Sequence, residues 1–432
     1  MSTPEASTPS LGSIYREHGP RVLAWLVRRV GGDVERAEDA LHSALEQAIR
    51  HWGDGGMPAS PAGWLATTAW RRAIDGIRRD SRQVPLEEET LPDRGQPSPA
   101  GDGMDSGTIP DERLALIFML CHPALDPAAR VPLILQHIMG FTAIEIGRAF
   151  LRAPTTVGQQ LVRAKRKIRA AGIPLRVPGT EEIAARLPPV LEAIYLVFSE
   201  GYSATRGEEA VRDSLCTEAI DLAWLLEHLL DRDGLTEALP EARGLLALML
   251  LHDARRPART DSAGVVVTLE DQDRSLWDRK TIAAASSLLD RAVEARRPGP
   301  YQVEAVIASL HANAPSFSST DWPQVLLLYN RLLGFKPSPV VMLNRAVALA
   351  RVRGAEEALA SLEVVRRDPA LARFGPLPLV LGDLYEQCGE VQLAAEHYRR
   401  AAELLGNAAE RRSVEWRLDR LGCAGDGEPS VR

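Results

Sequence analysis

The sequence predicts an all-α chain, and three observations carry that expectation. Apolar residues recur every three or four positions along most of its length, the period of a helix with one buried face. Ala, Leu, Arg and Glu dominate, and these are strong helix formers. The alternating β-branched pattern of strands is scarce. The one run of that kind is Val265-Val266-Val267-Thr268-Leu269.

The elements fall into segments by composition. Residues 10–82 read as helices. In a first long helix Ala37, Leu41, Ala44, Ala48 and Trp52 fall on one inward face, and Glu38, Asp39, His42, Glu46 and Arg50 point out. In the next, Leu65, Ala69, Ala73 and Ile77 form the buried stripe, while Arg71, Arg72, Arg78, Arg79 and Arg82 supply charge. Residues 83–111 are rich in Pro, Gly, Asp and Ser and read as a flexible acidic linker. Helices resume over 112–172 and, after the proline-containing GIPLRVPG, over 180–424.

The bulk numbers bound the function. With 432 residues the chain has room for two to four domains. Hydrophobic content of 45% with 25% charged residues is that of a soluble globular protein. No run approaches the roughly 18 apolar residues that span a bilayer. The opening residues show no basic region followed by an apolar run, so the expected location is cytoplasmic. Cys121, Cys216, Cys388 and Cys423 form no close pair, which argues against a zinc ribbon or a redox CxxC. Cys121-His122 is either half of a metal site or a buried structural pair. No metal or cofactor is expected.

A net charge of −7 makes one stretch conspicuous. From Gly140 to Arg169 seven basic residues stand against a single acid, Glu145. Val131, Ile134, Leu135 and Ile138 give the apolar stripe of a preceding helix. Thr142 is placed to cap a short helix, Ala143 to Phe150, with Glu145 as its capping-box partner. Gly147 sits where a missing side chain lets two helices cross closely. After a turn at Pro154, Thr155 and Thr156 open a third helix whose buried face is Val157, Leu161, Ala164 and Ile168. Gln159, Gln160, Arg163, Arg166 and Lys167 lie on its other faces. This is the geometry of a helix-turn-helix, in which Arg and Gln address base edges and Lys and Arg hold phosphates. A solvated basic face on an ordinary helix is the bland alternative.

The C-terminal region hints at helical repeats. Leu381-Gly382-Asp383-Leu384-Tyr385, followed by Ala394 and Tyr398, fits tetratricopeptide spacing. An earlier unit places Leu343 38 residues before Leu381, against about 34 in a regular array. Paired antiparallel helices in a short solenoid are expected, with an irregular helical domain as the alternative.

AEDALHSALEQAIRHW (Ala37 to Trp52), PAGWLATTAWRRAIDGIRRDSR (Pro61 to Arg82), the linker and the helix-turn-helix together resemble one family. It is the extracytoplasmic-function type of bacterial RNA polymerase sigma factor, within the sigma-70 family. FSEGYSA, LMLLHDARRPAR, EDQDRSLWDR and PSPVVMLNRAVALA are similar to the extension of a subgroup that fuses a tetratricopeptide-like domain to the sigma core.

The resemblance implies an alternative sigma factor that binds core RNA polymerase and directs promoter recognition. Residues 10–82 correspond to region 2, with Glu38, Asp39, His42 and Glu46 on the surface that docks on the β′ clamp. Trp70, Arg71, Arg72, Arg78 and Arg79, with the loop Gly53 to Pro61, would engage the −10 element. Trp64 would serve packing. Residues 112–172 correspond to region 4, which meets the β flap. There Thr155, Thr156, Gln159, Gln160, Arg163, Arg166 and Lys167 would read the −35 element. A small DGPF-type protein is implied as a partner, and the nucleoid as the place of action. The chain departs from the pattern at His42-Ser43, where relatives carry Gln-Glu or Gln-Asp, at Leu151 in the turn and at Gly158 in the recognition helix.

Two other classes compete. One is a helix-turn-helix regulator with a protein-binding scaffold. The other is an enzyme built on His252, Asp253, Glu270, Asp271 and Asp273. No glycine-rich phosphate loop, HExxH or nucleophile elbow supports catalysis, so no enzymatic activity is expected. Packing of Asp, Arg and Trp between helices would explain EDQDRSLWDR equally well. The acidic pairs Glu208-Glu209 and Glu270-Asp271, with Asp273, could face the basic helix and let the extension control the core.

Overall fold

In a computed structural model the placed residues are 11–55, 58–83, 112–149, 152–203, 211–368, 371 and 374–422. The expected linker, Leu151, the Glu208-Glu209 pair and Cys423 lie outside them. The fold is all-α, and no strand is formed among the described residues. The chain divides into two compact units, 1–193 and 194–432.

The first unit opens with α1 (Leu11–Arg29), α2 (Val34–Gly55) and α3 (Pro61–Gln83), which pack on one another. The stripe expected on α2 is buried from Ala37 to Ala48. On α3 Leu65, Ala69 and Ala73 are buried, and Ile77 is half-buried. α4 (Arg113–Leu120) is buried along its whole length from Leu114, as expected of a helix apolar on every side. α5 (Pro127–His137) starts where Asp126 accepts from the Ala128 amide at 3.0 Å. α6 (Ala143–Ala149), α7 (Pro154–Ala170) and the first half of α8 (Thr180–Tyr202) complete the unit. Arg186 of α8 donates to the Phe118 carbonyl at 2.8 Å. Residues 173–193 therefore belong with the first unit, beyond the expected end of region 4 at 172.

The second unit contains α9 (Asp213–Arg232), α10 (Leu239–Asp253), α11 (Arg279–Glu294), α12 (Pro300–Asn313), α13 (Trp322–Phe335) and α14 (Pro339–Arg353). It continues with α15 (Ala355–Ser361), α16 (Glu363–Arg366), α17 (Pro376–Gln387), α18 (Val391–Leu404) and α19 (Ala408–Arg420). α10 buries every residue from Gly244 to Leu251 and forms the centre of its packing. Successive helices pack in pairs, α13 on α14, α17 on α18, α18 on α19. Gly382 permits the α17–α18 pair, because a Cβ there would lie 2.6 Å from the Tyr398 ring. The Tyr398 hydroxyl then lies 2.7 Å from both the Asp383 and the Glu386 carboxylate, with one proton to donate between them.

The Val265–Leu269 run makes no ladder, and Leu269 already lies in a turn. The run pairs through one antiparallel bridge, Thr260 with Val266. The adjoining residues turn away into the Asp271 and Gln272 amide bonds to the Thr268 carbonyl, so nothing prolongs the pairing.

Candidate nucleic-acid interface

The candidate reading surface is built by α5, α6 and α7. Thr142 and Glu145 form the reciprocal box that opens α6. The Glu145 carboxylate accepts from the Thr142 amide at 2.8 Å, and the Thr142 hydroxyl accepts from the Glu145 amide at 3.2 Å. Gly147 ends the approach: a Cβ there would stand 2.8 Å from the Arg152 carbonyl. The same glycine's carbonyl accepts from the Arg152 amide at 2.8 Å, which fixes the turn leading to Pro154.

α7 buries Val157, Leu161, Ala164 and Ile168, the stripe its spacing predicts. At about 100° per residue, Thr155, Gln159, Arg163 and Arg166 fall within roughly 80° of one another on a different face. All four are exposed, as are Thr156 and Lys167. Gln160 is half-buried, and its Oε1 has no hydrogen-bond partner among the described residues. Nothing lies within 4 Å of a Cβ built at Gly158, so a longer side chain would have room there. The arc is thus a cationic and amide-bearing strip on a rigid helix, suited to phosphate and base-edge contacts.

On α3 the guanidinium-bearing Arg71, Arg72, Arg78 and Arg79 are exposed. Trp70 is half-buried and meets Trp25 edge-on at 6.3 Å, with Arg29 over both rings. Trp64 packs edge-on against Trp52 at 5.3 Å. Residues 56–57 of the preceding loop lie outside the described residues.

On α2, Asp39, His42, Glu46 and Arg50 point outward as expected, and Glu38 does not. Glu38 is 8% exposed. Lys165 of α7 donates to its Oε2 at 2.7 Å, and Nδ1 of the buried His137 lies 3.3 Å from its Oε1. The expectation of a solvated Glu38 fails because the end of α5 and one flank of α7 cover that side of α2. Burial pushes His137 down to about 4, against the opposing pull of Glu38, so the ring is neutral at pH 7. Lys165 was legible only as one more member of a basic run. Its place on the helix gives the signal: it flanks the buried stripe on the side away from Arg163. Arg169, on the same flank, reaches to 3.9 Å from Asp33. Contact with α2 therefore leaves the exposed arc of α7 free.

The alternative catalytic residues have structural partners. His252 is a neutral imidazole whose Nδ1 accepts from Arg255 at 2.7 Å, with burial and neighbouring guanidiniums holding its pKa low. In EDQDRSLWDR, Asp273 and Asp278 cap helical turns through the Ser275, Lys280 and Thr281 amides. Trp277 is buried under Arg274, whose guanidinium also donates to the His311 and Ala314 carbonyls. Glu270 pairs with Arg351 at 2.7 Å and Asp271 accepts from the Thr268 hydroxyl at 2.6 Å, so both are engaged within their own unit. Burial raises the Cys121 thiol to about 12 and makes it a poor ligand. No cluster of His, Cys, Asp and Glu fit to hold a metal ion occurs among the described residues. No described helix is long and apolar enough to cross a membrane.

Comparison with known proteins adds to this geometry. Residues 14–83 match the family described as Sigma-70 region 2. Residues 186–293 match a family of unknown function, DUF6596. The uncharacterized protein R00370 of Rhizobium meliloti (strain 1021) is 40% identical over 404 residues, 93% of this chain and 93% of that one. No solved structure matches.

Proposed function

We propose that this chain, which belongs to the sigma-70 family and shares its full-length family with R00370, is an alternative sigma factor of the extracytoplasmic-function type. Sigma-70 region 2 carries the premise: it implies core RNA polymerase and promoter DNA as partners in transcription initiation, with no chemistry of the chain's own. The observation that supports the finer reading is the exposed arc of α7, Thr155 to Lys167, in the same compact unit as the region 2 helices.

In this reading α7 reads the −35 element in duplex DNA. The arginines of α3 hold the backbone at the −10 element, where the strands part. Asp39, His42 and Glu46 meet the β′ clamp, and the α5–α7 domain meets the β flap. The second unit is a tetratricopeptide-like module that regulates the core through contact, with a small DGPF-type protein as a candidate partner. The protein acts in the cytoplasm, at the nucleoid.

The test is run-off transcription with purified core polymerase, comparing the full chain with a fragment ending at Ala193. That end point keeps the Arg186–Phe118 bond, which a cut at 172 removes. Promoter-specific transcripts are expected from the full chain, with a large change in output, up or down, from the fragment. Absence of any specific transcript from both would refute the sigma assignment. Equal output from both across a range of salt would refute regulation by the extension.

A further inference from the structure

The second unit encloses a cavity of about 1080 Å³, larger than most small-molecule sites. One wall is the segment Val265–Leu269. Its single bridge settles which way its main chain points. The Asp261 amide donates to the Val265 carbonyl at 3.0 Å, and the Val267 amide donates to the Arg259 carbonyl at 2.9 Å. In an antiparallel pair of this kind the residue between, Val266, turns its N–H and C=O away from the partner segment. Neither has a hydrogen-bond partner among the described residues, and Val266 is only half-buried. An all-helical unit thus presents one short open strand edge, beside a cavity.

The other walls say what kind of chain would fit. Trp322, Phe317 and Trp416 give apolar, aromatic surface, and Trp416 is 56% exposed. Five carboxylates and three guanidiniums line the cavity. Each guanidinium is already committed: Arg351 to Glu270, Arg417 to Asp383 and Arg420 to Glu386. Asp261 and Asp271 remain without a cation among the described residues. Asp261 accepts from the Ala263 and Val265 amides, and Asp271 from the Thr268 hydroxyl. Both line the cavity, Asp271 beyond the open edge in the chain and Asp261 on the paired side of Val266. Two uncompensated carboxylates beside an unpaired main chain favour an occupant with positive charge and with amides of its own.

We propose that this cavity binds an extended peptide segment that adds as a strand at Val266, with basic side chains toward Asp271 and apolar ones toward Trp322 and Phe317. The inference rests on reading the second unit as a protein-binding module, and it names the site and the chemistry that module uses. Strand addition places alternate side chains on opposite faces, so basic and apolar residues should alternate in the occupant.

The probe is a displayed library of random linear peptides, about eight residues long, enriched on the full-length protein. Enriched peptides are expected to alternate Lys or Arg with apolar residues. Synthetic versions should bind, as read by fluorescence anisotropy. N-methylation of alternate peptide amides should weaken binding roughly tenfold or more, since those amides would serve the Val266 carbonyl. Val266→Pro removes only an amide that the bridge does not use, and should cause a similar loss. Asp271→Asn should weaken basic peptides and reduce their salt dependence. The N-methyl series leaves the protein unaltered, so it decides the matter if Val266→Pro perturbs folding. Failure to enrich any peptide, enrichment of acidic ones, or binding indifferent to N-methylation would each overturn the proposal. Any of these would leave the transcription test of the sigma reading unaffected.

Discussion

Lys165 of α7 donates to Glu38 of α2 at 2.7 Å, across 127 residues of sequence. The two side chains are 14% and 9% exposed, so this is a largely desolvated ion pair, with neutral His137 beside it. It joins the proposed polymerase-docking helix to the proposed recognition helix. Removing one partner of such a pair strands the other charge, which costs about 3–5 kcal/mol. Lys165→Met should therefore lower the unfolding free energy of the first unit by several kcal/mol in urea titrations. The double variant Glu38→Leu with Lys165→Met should regain most of the loss, because no charge is left buried. Additive effects of the two changes would show that the pair is not formed in solution. If docking uses Glu38, the pair must break first, and Lys165→Met should tighten binding to core polymerase.

His137 gives the same contact a pH dependence. Its ring is buried, and burial is the main cause of a pKa near 4; Lys165 and His42 add to the lowering, and Glu38 opposes it. Above the ordinary histidine value of about 6.5 the ring is neutral in both folded and unfolded chains. Below it the unfolded chain takes up a proton and the folded one resists. Stability is thus fully present above pH 6.5 and is lost as pH falls toward about 4, by roughly 3 kcal/mol at most. His137→Asn should lower stability at pH 7 yet flatten the slope between those limits. An unchanged slope would assign the acid sensitivity to other groups.

Much of the fold was legible because its signals are local. The stripe Val157-Leu161-Ala164-Ile168 follows from helical period alone, and the Thr142–Glu145 box spans three residues. Glu38 shows where legibility stops. Its neighbours in sequence predict an exposed carboxylate, and its burial comes from His137 and Lys165, which no periodicity brings near. The Val265–Leu269 run was legible as a candidate strand. Its pairing depended on whether Thr260 continued into a strand, and a turn held by Asp261 intervenes.

Gly147 is expected to be intolerant of any side chain. The Cβ of Gly147→Ala would press on the carbonyl of Arg152, a turn residue whose amide is held by the Gly147 carbonyl. Relief requires that α6 and α7 move apart, at a cost of about 1–3 kcal/mol. Thermal unfolding should show that loss, and promoter binding should weaken with it. Gly158→Gln is the control, since its Cβ meets nothing within 4 Å. An equal loss from both would mean that the close crossing does not set the effect, since helix propensity favours both replacements over glycine.

Docking on polymerase should depend on the outward residues of α2 that remain exposed. Asp39 and Glu46 qualify. Changing both to Arg reverses the charge of the surface without touching the buried stripe, so circular dichroism and melting should stay near those of the parent. Holoenzyme formation is expected to fail in co-purification with core polymerase. Normal co-purification would move the docking surface elsewhere.

The exposed arc of α7 should make two kinds of DNA contact. Arg163 and Gln159 lie near its middle, where a helix in the major groove meets base edges, and both side chains offer bidentate donors or acceptors. Arg163→Ala and Gln159→Ala should each cost about 1–3 kcal/mol at a matched base and relax preference there. Lys167 lies at the rim of the arc, toward the backbone. Lys167→Ala should weaken binding nearly evenly across sequences and lower the salt slope by about 1. None of the three touches the Lys165–Glu38 contact, so stability should hold in every case. Competition binding to a promoter library at two salt concentrations separates the outcomes. Uniform losses for all three would mean that α7 positions the protein on phosphates and that sequence is read by another surface.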